Sequence, residues 1–428
     1  MILDKADLEK ALGKISREEL VHLTMDLVNI PSHTGSEKQI AEFMLDWFQR
    51  NGLDTVRQEI EDNRLNAIGI LKGTGQGLSL MFNGHMDTSL TGTADDLLLK
   101  RYIEPDSLPQ ATIRDNCVCG IGSGNMKGGI ASFMIAAKAI KQSGLKLKGD
   151  LILAGVAGEI GKAPIGPHQA AAYRSKGVGT RYLLTHGVRS DYAIVADGSG
   201  LGLTWVQAGV VYLKITVYGQ NVYTPFTKRS PSRKESQNAI IKMLDVIDAL
   251  EIWGADYEKR NTHEYESGVV IPKVCIGCIE AGRPFKPSNS PGVCNLYVDV
   301  RTLPGKEPLE IKREVEQLIS PLGVGAEIEM YISQKGYESK GVEKLVKAVD
   351  EAHVFLFGKK PRRAPTGANS VWTDTNLYNE SGIPAVKYGP SRKTEGETGG
   401  EMVDIDDLVH AAKLYTIAAL EVCNTERC

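Results

Sequence analysis

A chain of 428 residues exceeds the usual size of one domain, so we expect two. Hydrophobic residues make up 42% of it, enough for large cores, and a formal net charge of -3 argues against a nucleic-acid or anionic-membrane partner. Its N-terminal segment mixes both charge signs without an apolar core, and no apolar run reaches the ~20 residues of a membrane-spanning helix. These features predict a soluble, cytoplasmic protein.

The cysteines favour a reducing compartment. There are seven, an odd number, and they are scattered along the chain. Two close pairs, Cys117 with Cys119 and Cys275 with Cys278, lie in segments with the sequence pattern of strands. They lack the spacing of a zinc ribbon. We therefore expect free structural thiols.

The N-terminal half alternates helical and strand-like segments. Apolar residues recur at helical spacing over residues 6–28, and Ser36 is a plausible N-cap for a helix over 38–51. His33 lies in the intervening turn, where a turn residue is expected rather than a metal ligand. Further segments are strands at 66–71, 78–82, 150–157 and 191–197, and a helix at 130–143. This alternation predicts a mainly parallel sheet flanked by helices.

Three of these apolar strands each lead to an acid or a histidine. The strand at 78–82 leads to His85 and Asp87, the next to Glu159, and the third to Asp197. Ligands of a parallel sheet gather at the carboxyl ends of its strands, and a histidine beside a carboxylate is typical of metal sites. Any one of these acids could instead cap a helix, but together they predict a metal site.

A glycine-rich loop at 120–129 precedes the helix at 130–143. Its glycines permit positive φ and close approach of the backbone. The loop has neither the GxGxxG nor the GK[ST] register, which disfavours a nucleotide site.

The pattern changes after residue 204. Strands and helices follow in the order β-α-β-β-α-β, which is typical of a split-βαβ, ferredoxin-like sandwich. They are expected at 210–217, 237–253, 269–281, 293–301, 308–322 and 326–333. A helix at 342–357, a last strand at 384–388 and a closing helix at 404–422 return to the first pattern. We therefore predict an α/β catalytic domain at 1–205 and 336–428, with a lid or dimerisation domain inserted at 206–335.

These segments resemble the family of cocatalytic metallohydrolases that includes aminoacylases, acetylornithine deacetylase, succinyl-diaminopimelate desuccinylase and carboxypeptidase G. The resemblance extends from Ile30-Pro31-Ser32 to the closing helix and includes Asp299–Gly305 of the inserted domain. It implies a zinc-peptidase-like catalytic domain with an α+β lid, and metal-dependent hydrolysis of C–N bonds. Because the lid of this family commonly pairs subunits, it also implies a homodimer.

The resemblance assigns roles to individual residues. His85 matches a metal ligand and Asp87 the residue that orients it, while Asp197 and Glu159 match acids on the first and second metals. Four positions depart from the family pattern. Asn125 stands where the family has a bridging aspartate, and Gly158 where it has a general-base glutamate. Glu397 stands where the family has a histidine ligand, and Tyr223 where it has a lid histidine that reaches the partner subunit's site.

The change at Asn125 predicts one divalent metal. A neutral amide offsets the repulsion between two dications poorly, because it supplies a dipole and no charge. We expect one ion held by His85, Asn125, Glu159 and Asp197. An oxygen-rich shell of this kind favours Mn²⁺ over Zn²⁺.

The change at Gly158 removes the general base, because glycine cannot take a proton from water. Glu159, Glu397 or the Tyr223 hydroxyl could take over that role. The segment around Glu397 is rich in glycine, so the match could slip by two residues, to Glu395.

These substitutions resemble a branch of the family that replaces the amine of a nitro-substituted aromatic carboxylate by hydroxyl and releases ammonia, as in the conversion of 5-nitroanthranilate to 5-nitrosalicylate. A nitro-activated ring accepts hydroxide directly and stores charge, so metal-activated water and electrostatic stabilisation suffice. In this fold, residues that face the cleft and could bind the carboxylate are Arg283, Lys286, Asn289, Lys387 and Arg392. Two alternatives stay open: an N-acyl amino acid or dipeptide hydrolase with a relocated base, and a non-catalytic binding protein.

Overall fold

The computed structural model describes residues 4–91, 96–97, 103–395 and 400–427. Within this part of the chain two compact units are distinguished. The first contains the chain up to Trp205, then Ser339–Ala368, and the chain from Thr373 onward; the second contains Val206–Glu338 and Asn369–Trp372. Each unit is described by itself below.

A six-stranded sheet lies at the centre of the first unit. In spatial order its strands are Asp54–Glu61, Arg64–Leu71, Leu151–Val156, Leu80–His85, Tyr192–Val195 and Ala385–Lys387. The first two neighbouring pairs are antiparallel and the other three are parallel. The Leu151–Val156 strand, LILAGV, is buried throughout, as expected for a central strand with both faces covered. The predicted α/β class with a mainly parallel sheet is therefore confirmed.

Helices cover this sheet. They are Lys5–Leu12, Arg17–Asn29, Lys38–Arg50, Gly128–Ser143, Val178–Thr185, Glu343–Phe357, Thr375–Glu380 and Ile405–Cys423, with a short turn of helix at Thr366–Asn369. Most residues of Gly128–Ser143 and Ile405–Cys423 are buried, which explains why both helices are predominantly apolar. Within the described parts of the chain, every helix is too short or too polar to cross a lipid bilayer.

One prediction about the N-terminal helices was wrong. The helical spacing over residues 6–28 corresponds to two helices, because Gly13 ends the first and Ser16 caps the second by accepting a hydrogen bond from Glu19 N at 3.2 Å. Ser36 is not an N-cap. Its hydroxyl lies 3.1 Å from His33 Nε2, within the turn that precedes the helix Lys38–Arg50.

A second, four-stranded sheet in the first unit was only partly anticipated. Its spatial order is Lys393–Glu395, Gly400–Asp404, Cys117–Cys119 and Thr112–Arg114, all antiparallel. The prediction that the strand at 384–388 is the last one was therefore wrong. Strands of three to five residues, bounded by glycine and rich in charge, have no alternation long enough to be recognised.

The second unit is a four-stranded antiparallel sheet with two long helices. Its sheet order is Val274–Ala281, Val293–Thr302, Gly209–Tyr218 and Glu327–Gln334, and its helices are Ala239–Asn261 and Pro308–Ile319. Short strand pairs are His263–Tyr265 with Gly268–Val270 and Val206–Gln207 with Tyr337–Glu338. The β-α-β-β-α-β order is confirmed. The strand predicted over 269–281 is interrupted near Pro272, which lacks a backbone donor for the ladder.

Candidate metal centre

Three parallel strands bring candidate ligands to one edge of the central sheet. His85 is the last residue of its strand, and Glu159 and Asp197 follow soon after the two strands that flank it. Because the carboxyl ends of parallel strands meet at one edge, residues far apart in sequence become neighbours. His85 pairs in register with Val156, so the strand continues three residues beyond the predicted end at 82.

The imidazole of His85 is buried and fixed on both sides. Its Nδ1 lies 3.0 Å from the main-chain carbonyl of Asp87, to which it donates in the neutral ring. Its Nε2 lies 3.1 Å from Asn125 Oδ1 and 3.9 Å from Glu159 Oε2. Two lone pairs facing each other at 3.1 Å require a proton or a metal ion between them.

The electrostatic field at His85 is strongly negative. Burial alone would lower its pKa, but the carboxylates of Glu159, Asp87, Asp197 and Asp374 outweigh burial and raise the pKa of His85 to about 9. In the absence of a metal, a proton on Nε2 occupies the position suited to a cation. A divalent ion would compete with that proton for the same lone pair.

Asp87 acts mainly on the neighbouring loop. Its fully buried carboxylate accepts hydrogen bonds from Glu159 N at 3.0 Å, Ile160 N at 3.2 Å and Thr34 Oγ1 at 2.8 Å. The same carboxylate is 3.6 Å from His85 Nδ1, farther than the main-chain carbonyl of Asp87. The backbone of Asp87 thus orients the imidazole, while its side chain positions the loop that carries Glu159.

The glycine-rich loop delivers Asn125. The peptide bond after Asn125 is cis, and Gly122, at φ +81°, donates its N–H to Glu401 Oε2 at 2.8 Å. Lys127 is buried with its ammonium donating to Ile30 O at 2.8 Å, and burial lowers the pKa of Lys127 to about 7. These contacts fix the loop on both sides of Asn125.

Asp197 forms an ion pair with a buried lysine. Lys387 Nζ lies 2.5 Å from Asp197 Oδ2, and the lysine side chain is only 2% exposed. Burial would raise the pKa of Asp197, but the Lys387 ammonium, with His85 and Arg392, keeps that pKa below its usual value. Lys387 was considered in the sequence only as a cation for substrate. A charged residue inside the apolar strand 384–388 was the signal of its buried position.

An arginine fills the space beside Gly158. Gly158 has φ +66°, and a Cβ built on it would lie 2.1 Å from Arg64 Nη2. The fully buried Arg64 forms two hydrogen bonds with Glu37, at 2.8 and 2.9 Å, and a third with Glu61 at 3.0 Å. The position matched to the general base therefore has a guanidinium beside it. No sequence pattern marked Arg64 or Glu37 as a site residue.

Asp374 is a further buried acid near the centre that was not predicted from the sequence. Thr180 Oγ1 donates to its Oδ2 at 2.7 Å and accepts from Asn83 Nδ2 at 3.1 Å. Burial, reinforced by the charge of Glu159, raises the pKa of Asp374 to about 8. Asp374 lies just before a helix of only six residues, Thr375–Glu380, so no periodic pattern marked it.

Four other predicted site residues lie in the second unit. Tyr223 is 52% exposed, and its backbone forms a bridge with Asn289. Asn289 Nδ2 donates to Asn221 Oδ1 at 2.9 Å. Arg283 and Lys286 are exposed residues of one turn, in which Lys286 N donates to Arg283 O at 3.0 Å.

Arg392 lies in the first unit, close to the centre. Its guanidinium is 3.2 Å from Glu401 Oε1, and a Cβ built on Gly124 would lie 3.0 Å from its side chain. Glu397 lies outside the described residues. The backbone of Glu395 ends the strand Lys393–Glu395.

The convergent donor set suits a divalent cation. Among the described residues, no group of three or more His, Cys, Asp and Glu side chains is arranged to hold a metal ion on its own. The convergent set instead includes an amide: His85 Nε2, Asn125 Oδ1 and the Glu159 carboxylate. One nitrogen and two kinds of oxygen donor suit a divalent ion.

Comparisons with known proteins show the family. Residues 81–421 match the family described as Peptidase family M20/M25/M40. The chain is 24% identical to the N-formyl-4-amino-5-aminomethyl-2-methylpyrimidine deformylase of Halalkalibacterium halodurans, over 96% of each chain. It is 23% identical to the succinyl-diaminopimelate desuccinylase of Corynebacterium glutamicum, over 92% of this chain and 94% of that protein.

Solved structures share the fold at low sequence identity. Human carnosine dipeptidase 1 superposes with a TM-score of 0.73 at 14% identity, covering 97% of this chain and 98% of that one. A Bacillus subtilis protein described as a dinuclear metal-binding peptidase superposes with a TM-score of 0.62 at 18% identity, covering 99% and 100%. The chain therefore belongs to Peptidase family M20/M25/M40 and is a hydrolase that acts on C–N bonds.

Proposed function

We propose that the chain is a metal-dependent aminohydrolase of a small aromatic carboxylate whose ring is activated by a nitro group. The reaction replaces the amine by hydroxyl and releases ammonia, with 5-nitroanthranilate as the substrate to test. The observation that carries this proposal is the guanidinium of Arg64 beside Gly158, where a Cβ would approach it to 2.1 Å.

Amide hydrolysis makes a demand that this position cannot meet. A poor amine leaving group requires a base that takes a proton from water and returns it to the nitrogen, which contributes about 10²–10⁴-fold to the rate. Gly158 has no side chain, and a guanidinium stays protonated and cannot accept a proton. A ring that stores negative charge in its nitro group depends less on a general base from the protein. The missing base therefore favours an activated aromatic amine as the substrate.

His85, Asn125, Glu159 and Asp197 would hold the metal, with Mn²⁺ favoured by the predominance of oxygen donors. A divalent ion there would supply Lewis-acid activation of water. In the net reaction the C–O bond forms, the C–N bond breaks, and the water proton leaves with ammonia. Glu159, 3.9 Å from His85 Nε2, is a metal ligand in this proposal, so the water proton reaches the amine without a dedicated base.

Arg392 is our candidate for the substrate carboxylate in the first unit. Its side chain is 42% exposed and contacts Glu401, and its charge contributes to the lowered pKa of Asp197. Both facts put a positive group next to the centre with part of its surface open to a ligand. The proposal also includes four residues of the second unit: Arg283, Lys286 and Asn289 for the substrate carboxylate, and the Tyr223 hydroxyl for the substrate ring.

The test is turnover by the full chain loaded with Mn²⁺. We expect stoichiometric ammonia and 5-nitrosalicylate from 5-nitroanthranilate, and no product from anthranilate, which differs only in lacking the nitro group. The variant Arg392→Met should raise KM with a smaller effect on kcat. Absence of ammonia from the metal-loaded, folded protein would refute the proposal.

An amide hydrolase with a relocated base is the second candidate. It is favoured by the deformylase relative, whose match covers 96% of each chain. This candidate predicts release of formate or another acid from N-formyl or N-acyl substrates, without ammonia from 5-nitroanthranilate. Measuring acid and ammonia on the same preparation separates the two candidates.

We further propose a homodimer formed through the second unit. The strand Val274–Ala281 lies at the edge of its sheet, where unpaired backbone groups can pair with another copy. That strand exposes Ile279, an apolar residue that a partner would cover. Light scattering should give a dimer mass for the wild type and a monomer for Ile279→Lys; a wild-type monomer at micromolar concentration would contradict this.

A further inference from the structure

Lys387 is a buried cation in the candidate metal centre. It ends the strand Ala385–Lys387, in register with Val195 of the neighbouring strand, and its side chain is 2% exposed. A buried ammonium is costly unless paired, and the ion-pair partner is the candidate metal ligand Asp197, at 2.5 Å. Its other contact, with Ala368 O, is long at 3.5 Å. The ion pair with Asp197 therefore explains the position of this lysine.

The charge balance of the centre leaves little room for a second dication. Asn125 is neutral, so the charged ligand candidates are the carboxylates of Glu159 and Asp197. One divalent ion and the Lys387 ammonium together balance these two carboxylates and the buried carboxylate of Asp87, which also acts on His85. A second dication would be repelled by both the first ion and the ammonium within a buried, weakly screened site.

We propose that Lys387 limits the centre to one metal ion by placing a fixed positive charge beside the ligand candidate Asp197. The ammonium is paired with Asp197 Oδ2, and Asp197 would also be a ligand of the single ion. Lys387 is in this sense a positioning residue, since it acts through Asp197. The inference rests on the metal centre of the proposed function, but not on the identity of the substrate.

A role for Lys387 in binding the substrate carboxylate fits the structure less well. Its Nζ is bound to Asp197 and its side chain is almost entirely buried. Arg392, by comparison, keeps 42% of its side chain exposed. Lys387 is therefore assigned to the interior of the centre, and Arg392 to binding of the substrate carboxylate at its surface.

The test restores the missing carboxylate and then removes the ammonium. Metal content and Mn²⁺ titration by calorimetry are measured on the full chain for N125D and for the double variant N125D/K387M. We expect N125D to bind one ion and N125D/K387M to bind two. The affinity of N125D/K387M for the second ion should be at least about 100-fold higher than any affinity of N125D for a second ion. The control N125D/K72M removes another lysine paired with an aspartate, Lys72 with Asp150 at 2.8 Å, and should stay at one ion.

Two ions in N125D would overturn the proposal, because Lys387 would then not limit the count. One ion in folded N125D/K387M would overturn it as well. If methionine prevents folding, N125D/K387Q is the second variant, because its amide can still donate to Asp197 without the charge, and it should also bind two ions. These titrations contain no substrate, so a failure of the proposed reaction leaves their result unaffected.

Discussion

At the scale of single residues, Gly158 connects the local backbone with the chemistry of the centre. Its φ of +66° is a left-handed conformation, which costs an L-residue about 1–2 kcal/mol. In addition, a Cβ would meet the Arg64 guanidinium at 2.1 Å and the side chain of Val178 at 2.6 Å. A glutamate or even an alanine at position 158 would therefore fit only if Arg64 moved.

We expect Gly158→Ala to lower the free energy of unfolding by about 3 kcal/mol, from backbone strain plus overpacking. The matched control is Gly144→Ala. Gly144 has φ +74°, and a Cβ built on it would meet nothing within 4 Å, so this change should cost only about 1–2 kcal/mol. Chemical denaturation of both variants gives the comparison. Equal losses would show that Arg64 does not fill this space.

His85, Asp87, Glu159 and Asp197 could be singled out from the sequence because each follows an apolar strand. Arg64 and Lys387 could not, because a lone basic residue beside apolar text is more often solvated than buried. Their positions are set by partners distant in sequence: Glu37 is 27 residues from Arg64, and Asp197 pairs with a lysine of the last strand of the sheet. Such partners become visible only once the sheet is assembled.

At the scale of elements, the Arg64–Glu37 ion pair joins segments that surround the centre. Arg64 begins the strand Arg64–Leu71, and Glu37 precedes the helix Lys38–Arg50. The same guanidinium donates to the main-chain carbonyls of Ala171 at 3.1 Å and Arg174 at 2.6 Å. One buried side chain thus connects a strand, a helix start and a loop.

Removing this guanidinium should be costly. We expect Arg64→Met to destabilise the protein by about 3–5 kcal/mol, because Glu37 would remain buried without its partner. The control Arg57→Met breaks a surface pair, in which Arg57 lies 3.3 Å from Glu42, and should cost less than about 1 kcal/mol. Denaturant titrations measure both losses. A similar loss in the two variants would mean that the buried pair has no special role.

The elements differed in how predictable they were. The strand Leu151–Val156 was recognised because it is a continuous apolar run, and the helix Ile405–Cys423 because its apolar pattern is long. The strand Leu80–His85 was recognised from its apolar first half alone, so its end was predicted three residues too early. The strands Lys393–Glu395 and Gly400–Asp404 were not, since they are short and form by pairing with each other and with Cys117–Cys119. Local pattern carries little information about a strand whose stability comes from such pairing.

At the scale of the whole molecule, the buried acid Asp374 makes stability depend on pH. Its pKa is about 8 in the folded protein, against an ordinary value of 3.8 that applies to the unfolded chain. The folded state thus keeps a proton that the unfolded state loses, so this contribution to stability is complete below pH 3.8 and is lost as the pH rises through about 8.

We expect metal-free wild-type protein to lose more stability between about pH 5 and pH 8 than Asp374→Asn does. The difference is up to about 4 kcal/mol, from roughly three pH units at 1.36 kcal/mol each. Thermal unfolding of both proteins in a chelating buffer measures it. The same pH dependence in the two proteins would contradict a buried, protonated Asp374.

For the molecule as a whole, the sequence indicated the fold class through two different alternations: strands with helices in the first unit, and the β-α-β-β-α-β order in the second. The family follows from the match over residues 81–421. The substrate does not follow from either, because fold and family are compatible with many C–N bonds. It has to be inferred from what the centre lacks at Gly158 and Asn125.

The most direct test of this account is the rate of the Mn²⁺-loaded protein on anthranilates that differ only in the 5-substituent. If the substrate supplies the activation that Gly158 cannot, kcat/KM should rise steeply with electron withdrawal and be greatest for the nitro compound. A flat dependence, or faster hydrolysis of an N-formyl amide than of 5-nitroanthranilate by the same preparation, would contradict the account and assign the centre to amide hydrolysis.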